Sequence, residues 1–231
     1  MKAKGGVGGV VSEASTSSAP PPPPSPPSGE IRPLRRDAEV NLSRILVAAR
    51  DVFAEEGYEA SMEAIAARAE VGVGTLYRRF PNKADLLDAV VEAAKERNRQ
   101  IARAVLADVP DEDAVFEFLR RVIAVPSCWR ATIAAPPWRK RRSGLEKTAP
   151  LLQELLERSQ AAGSVRPDIS VTDLLVTLMS VRSIADVCDT RSSKPSLRFL
   201  ELVLDGLRPG HEPVAQSALT VAQLDKILKH R

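Results

Sequence analysis

From Asp37 onward the chain is a succession of helical apolar stripes cut by proline and glycine, and this pattern restricts the fold more than any other feature. Leu42, Ile45, Leu46, Ala49, Val52 and Phe53 recur at i, i+3 and i+4, which is one face of a helix over about 37–56. Gly57 supplies its stop. Ser61 is a good N-cap for a short helix over 62–68, with Ile65 and Ala66 facing inward. Glu63 lies in its first turn, where negative charge suits the helix dipole. A third short helix is predicted near 73–79, presenting Leu76 and Phe80 to the same core. Pro81 then breaks the chain, Asn82 caps a long helix, and Asp85 completes a capping-box-like pair. Leu86, Leu87, Val90, Val91, Ala94, Ile101 and Val105 carry that helix to about 107.

Beyond Pro110 the same spacing predicts helices at about 112–125, 127–135, 149–162, 171–190 and 195–208. Pro126, Pro136, Pro137, Gly163, Pro167, Pro195, Pro209 and Gly210 punctuate them. Ser170 with Asp173 resembles a second capping box, and Val221, Leu224, Ile227 and Leu228 suggest a weak amphipathic helix over 221–229. Strand alternation and internal repeats are both missing from the sequence, so the predicted class is all-α: a three-helix helix-turn-helix unit followed by a helical bundle.

Composition narrows the chemistry. Residues 1–30 are rich in Gly, Ser, Ala and Pro, with prolines from Pro20 to Pro24, and hold too few bulky apolar groups to offset ordering entropy. They are expected to form a disordered, stiffly extended tail. The expected division is this tail, a helix-turn-helix domain at 31–92 (the motif itself at about 61–80), an effector-binding and dimerisation domain at 93–210, and a short tail at 211–231. Cys128 and Cys188 are too few for a disulfide scaffold or a structural zinc site, and His211 and His230 lie near the end of the chain. Neither a metal site nor a cofactor is expected. Nor is an enzyme expected, because no Glu-x-x-His pattern repeats on paired helices. Apolar runs stay shorter than the roughly 18 residues a membrane span needs, and Gly5–Val11 is too glycine-rich for a signal-peptide core. The expectation is a cytoplasmic protein with no membrane partner.

The segment SMEAIAARAEVGVGTLYRRF at 61–80 reads as a helix-turn-helix. A pair of short helices cannot bury its apolar face alone, so helix 37–56 must supply the third wall. The second helix of the pair is left with an outward face able to enter a DNA major groove, about 12 Å wide. On that face lie Gly72, Val73, Thr75, Tyr77, Arg78 and Arg79. Thr and Arg can read base edges or bond phosphate, whereas a Tyr hydroxyl usually bonds phosphate. Arg79 either touches DNA or stays solvated. Lys83 is placed to meet a phosphate, and Ser61 with the adjacent helix N-terminus offers a hydroxyl and backbone N–H groups to another. Arg32, Arg35 and Arg36 are read as a basic arm just before the first helix, reaching the DNA backbone or minor groove or remaining a solvated run. Charge alone decides little: the formal net charge is +3, so the placement of basic groups has to do the work.

The run from 37 to 92 resembles the TetR (tetracycline-repressor-like) family of bacterial regulators. Val71, Gly74, Thr75, Leu76, Tyr77, Phe80, Lys83, Leu86 and Leu87 stand where the family pattern puts them. The segments AAGSVRPDISVTDLL at 161–175 and FLELVLDGLRPG at 199–210 are similar in outline to those around the family's dimerisation helices. The resemblance implies an all-helical homodimer with an N-terminal DNA-binding domain and a C-terminal domain for a small-molecule effector. It also implies that Thr75, Tyr77 and Lys83 contact DNA. Two residues depart from the pattern: Glu70 stands where the family often has Gly, and Gly72 where a Ser or Thr often caps the recognition helix.

The resulting expectation is a ligand-responsive repressor that binds a pseudo-palindromic operator as a homodimer and is released by an effector. Leu174, Leu175, Leu178, Leu197, Leu200, Leu204 and Leu207 are expected to be buried in part at the dimer interface. The alternative is a helical protein-interaction module without sequence-specific DNA binding. Cys128, Trp129, Trp138, Phe116, Phe118 and Met179 either line an effector pocket or form ordinary core. Arg182 and Asp186, one turn apart, are expected to pair. Arg139–Arg142 is read as an exposed basic loop.

Overall fold

The first helix starts earlier than its apolar stripe predicts, with α1 spanning Ile31–Glu56. Arg32, Arg35 and Arg36 therefore lie on the helix itself, which corrects their reading as an arm that precedes it. Pro33 does not prevent this start, because a proline in the first turn removes an N–H that has no intrahelical acceptor. The computed structural model describes residues 31–125, 128–134, 144–187 and 194–229; the proposed tail at 1–30, the loop Arg139–Arg142, Trp138, Cys188 and His230 lie outside the described residues. The side chains of 31–37, Trp129 and Asp186 also lie outside them.

A 3-10 turn at Gly57–Glu59 follows α1, with Gly57 in the left-handed region at φ 72°. Then come α2 (Met62–Arg68), α3 (Val73–Arg79) and the long α4 (Lys83–Asp108). The caps form as their residue types predict. Ser61 Oγ accepts from Ala64 N at 3.0 Å, and Asn82 Oδ1 accepts from Asp85 N at 2.9 Å. The second half contains α5 (Ala114–Ile123), α6 (Trp129–Ala134), α7 (Leu145–Ala161), α8 (Val171–Val187) and α9 (Lys194–Gly206). The weak amphipathic segment is α10 (Val221–Lys229), which seats Leu224 against α7 and α8. The Ser170 box is complete: Ser170 N donates to Asp173 Oδ2 at 2.8 Å while Ser170 Oγ accepts from Asp173 N at 3.3 Å. No strand occurs among the described residues, and the fold is all-α.

Helix α7 begins before the predicted start near 149, at Leu145, so Pro150 stands inside it. Gly144 turns the chain into the helix at φ 67°, and the buried Leu145 anchors the extra turn. Pro150 lacks the N–H of one helical hydrogen bond, and the burial of Leu145 offsets part of that loss.

Two apolar cores share α4. The first gathers Ile45, Ala49, Val52 and Phe53 of α1, Ile65 and Ala66 of α2, Leu76 of α3, and Leu86, Leu87 and Val90 of α4. The second gathers Ala102 and Val105 of α4 with α5, α7, α8 and α9, and includes Phe116 and Phe118 as ordinary core. Between the two, α4 is polar on its surface. Arg99 is nearly sealed and pairs with Glu92 at 3.2 Å and Glu96 at 2.8 Å. Cys128 and Ala131 join the first core although they follow α5 in sequence, so α6 packs on the helix-turn-helix unit as well as on α8.

The leucines expected at a dimer interface mostly serve the chain's own interior. Leu174, Leu178, Leu200, Leu204 and Leu207 are buried within the second core, while Leu175 and Leu197 are half-buried against it. Among the described residues, the large apolar side chains left outward on α8 and α9 are Val176 and Leu202, the latter 63% exposed. Helix α8 is apolar around much of its circumference, so periodicity does not say which leucines face inward.

Candidate nucleic-acid interface

The outward face of α3 is built by one buried side chain. Leu76 is fully enclosed by the first core and fixes the rotation of the helix. Burial of such a side chain contributes about 1.5–3 kcal/mol. With Leu76 inward, the helical repeat turns Val73, Gly74, Tyr77 and Arg78 to solvent and leaves Thr75 half-buried. Tyr77 is 42% exposed and Val73 38% exposed. Gly72 starts the helix with extended backbone and an exposed surface. A Cβ at Gly74 would meet no atom within 4 Å, so α3 presents a shallow, unobstructed front there.

The turn between α2 and α3 follows Schellman geometry. Glu70 N donates to Ala67 O at 3.1 Å and Val71 N to Ala66 O at 3.0 Å. Such a turn needs a left-handed residue, and Glu70 takes that place at φ 54°. Glycine there would avoid a cost of roughly 1 kcal/mol. The Glu70 carboxylate is met by the Arg44 guanidinium across the exposed surface of α1. Arg68 is likewise engaged: its Nη1 and Nη2 donate to Glu55 at 3.3 and 3.0 Å.

Basic groups on the α3 side differ in how far they are already spent. Arg78 and Arg79 are exposed and have no carboxylate partner among the described residues. Lys83 is half-buried and donates from Nζ to the Tyr58 carbonyl oxygen at 2.6 Å. Ser61 is exposed, but its hydroxyl oxygen is occupied by the cap on Ala64 N. Arg36 lies on the opening turns of α1 and its side chain is not among those described. The structure thus gathers Gly72, Val73, Thr75, Tyr77 and Arg78 on one short helix, with Lys83 and Ser61 tied locally. Sequence reading missed the Lys83–Tyr58 bond, because nothing in the local pattern marks a backbone carbonyl left free by a 3-10 turn.

Among the described residues no three His, Cys, Asp or Glu side chains gather to hold a metal ion. No helix among them is long and apolar enough to cross a membrane.

Comparison with known proteins places both halves. The family model for bacterial regulatory proteins of the tetR type matches residues 45–90, and the model for the SbtR-like transcriptional regulator C-terminal domain matches 110–209. A solved TetR transcriptional regulator from Streptomyces coelicolor is 32% identical, covering 74% of this chain and 99% of its own, with a TM-score of 0.57. A TetR regulatory protein from Mycobacterium vanbaalenii is 34% identical, covering 76% of this chain and 99% of its own, with a TM-score of 0.56. An HTH-type transcriptional regulator of Staphylococcus aureus is 45% identical over 60 residues, which is 26% of this chain and 32% of that protein. The chain thus spans about a third of the length of the curated relatives it matches.

Proposed function

The chain belongs to the TetR family of DNA-binding bacterial transcriptional regulators, and from that premise we propose that it is a ligand-responsive repressor. Two copies bind a pseudo-palindromic operator, and a small-molecule effector releases them. The observation that carries this reading is α3 itself: Leu76 locks it into the core while Val73, Tyr77 and Arg78 stand outward, with Thr75 half-buried beside them, on a face that the described residues leave uncovered. That face has the length and polarity a major groove accepts. Arg78 supplies a base-edge or phosphate donor, Tyr77 and Thr75 supply hydroxyls, and Gly72 lets the helix N-terminus approach the sugar–phosphate backbone closely. Lys83 donates to phosphate with the N–H groups that Tyr58 leaves unused. Arg36 adds charge at the start of α1.

The functional boundary lies within α4, whose early residues belong to the first core and whose late residues belong to the second. An effector in the C-terminal bundle therefore acts on the recognition helix through a shared rigid element. It switches the protein only if it binds the two arrangements with different affinity. The exposed Val176 and Leu202 on α8 and α9 mark the face that a second copy covers. Footprinting the purified full chain on the region upstream of its own gene tests the reading. A protected, symmetric site is expected; uniform, unselective binding, or none, refutes it.

A further inference from the structure

At the junction of α1, α4, α6 and α8, more positive than negative side chains gather among the described residues. Arg50 comes from α1, Arg97 from α4 and Arg182 from α8, while Cys128 opens α6, which packs on all three helices. Arg50 is served: its Nε and Nη2 reach Asp51 Oδ1 at 2.8 and 2.6 Å. Asp51, bonded to Arg50, also acts on Arg97 by its charge, but burial and the Arg50 charge outweigh it. Arg97 makes no hydrogen bond or ion pair among the described residues. Arg182 reaches the Val122 carbonyl oxygen with Nη2 at a long 3.4 Å, and its Nε is sealed from solvent with no partner.

The Asp186 side chain, the expected partner of Arg182, lies outside the described residues, and Arg182 Nε has no hydrogen-bond partner. Burial, and then the neighbouring Arg97 charge, hold Arg182 below the ordinary arginine value. Burial and the Arg50 charge do the same to Arg97. Cys128 does not act as the counterion, because burial pushes its thiol above the usual range and keeps it neutral. A guanidinium N–H sealed from solvent without a partner is costly, and a second positive charge nearby adds to the cost.

We propose that Arg97 and Arg182 form a binding site for an oxyanion, the carboxylate or phosphate group of a small acidic molecule. The planar donor forks of two arginines suit that group and reject amines and neutral compounds. The proposal rests on the ligand-responsive reading above and names the charged group of the effector. An anion held there joins α8 of the bundle to α4, which begins at the helix-turn-helix, and lies beside α1.

Thermal melts of the full chain at matched ionic strength test it, with octanoate, octyl phosphate, octylamine and octanol as probes. At least one of the two anions raises the midpoint by about 2–4 °C or more, and which one does so separates carboxylate from phosphate. Octylamine and octanol leave the midpoint unchanged. Arg182→Met loses the anion response, and Arg97→Gln, at the more open member of the pair, loses it as well and serves if Arg182→Met does not fold. Equal shifts with octylamine or octanol, no shift with either anion, or a shift that survives in a folded variant overturn the site. Footprinting on the same preparation keeps the two claims apart: selective DNA binding by a protein that ignores both anions refutes the anion site alone.

Discussion

Lys83 opens α4 yet spends part of its ammonium on Tyr58, donating to the carbonyl oxygen at 2.6 Å while Nζ lies 4.9 Å from the Tyr58 ring centroid. The side chain therefore staples the start of α4 to the 3-10 turn after α1. A charge-assisted bond and a cation–π contact at a half-buried site contribute about 1–2 kcal/mol together. Lys83→Ala is expected to lower the unfolding free energy by that amount and the urea midpoint with it. It also lowers the salt slope of DNA binding by about one per protomer if the remaining N–H groups meet phosphate. Parallel urea melts and salt titrations read both effects.

Glu70 offers the opposite experiment. Its left-handed backbone works against stability, while its ion pair with Arg44 is exposed and contributes at most about 1 kcal/mol. Glu70→Gly relieves the backbone and raises stability by roughly 0.5–1 kcal/mol; Glu70→Ala keeps the strain, loses the pair and lowers it. Chemical denaturation of the two variants should move in opposite directions.

The outward Leu202 tests the assembly. Leu202→Glu places a charge on the apolar face of α9 without touching the core. Sedimentation should shift from dimer to monomer, and operator binding should fall far more than removal of one contact explains, because both half-sites act together.

Asp168 gives a pH prediction. The Arg166 guanidinium, bonded to its two carboxylate oxygens at 2.7 and 2.8 Å, and the Val214 N–H at 2.8 Å lower its pKa from 3.8 to about 2. A depressed carboxylate contributes stability above its unfolded value, and that contribution is lost as pH falls through about 2. Arg166 also donates to the Glu212 carbonyl oxygen, so the pair ties the stretch before α10 to the loop before α8. Asp168→Asn should flatten this part of the acid-unfolding curve and speed amide exchange at Val214.

The helix-turn-helix was legible because short-range signals agree there. Ser61, Gly72 and Asn82 mark three helix starts, and Leu76 with Phe80 marks the inward side of α3. The start of α1 was not legible, since the apolar stripe that marks the helix begins only at Leu42, well inside it. The inward leucines of α8 and α9 were not legible either. Both helices carry leucine on more than one side, and only packing against α5 and α7 selects Leu174, Leu200 and Leu204 for the interior. The clustering of Arg50, Arg97 and Arg182 is a tertiary fact, created by three helices far apart in sequence.

The central claim is that α3 reads duplex DNA through the face that Leu76 turns outward. Fluorescence anisotropy of the full chain on the footprinted site, with wild type beside Tyr77→Ala and Thr75→Ala, measures it most directly. The account predicts selective binding that weakens steeply with salt, and variants that lose affinity while melting at the wild-type temperature. Folded variants that bind the site as tightly as wild type would contradict it.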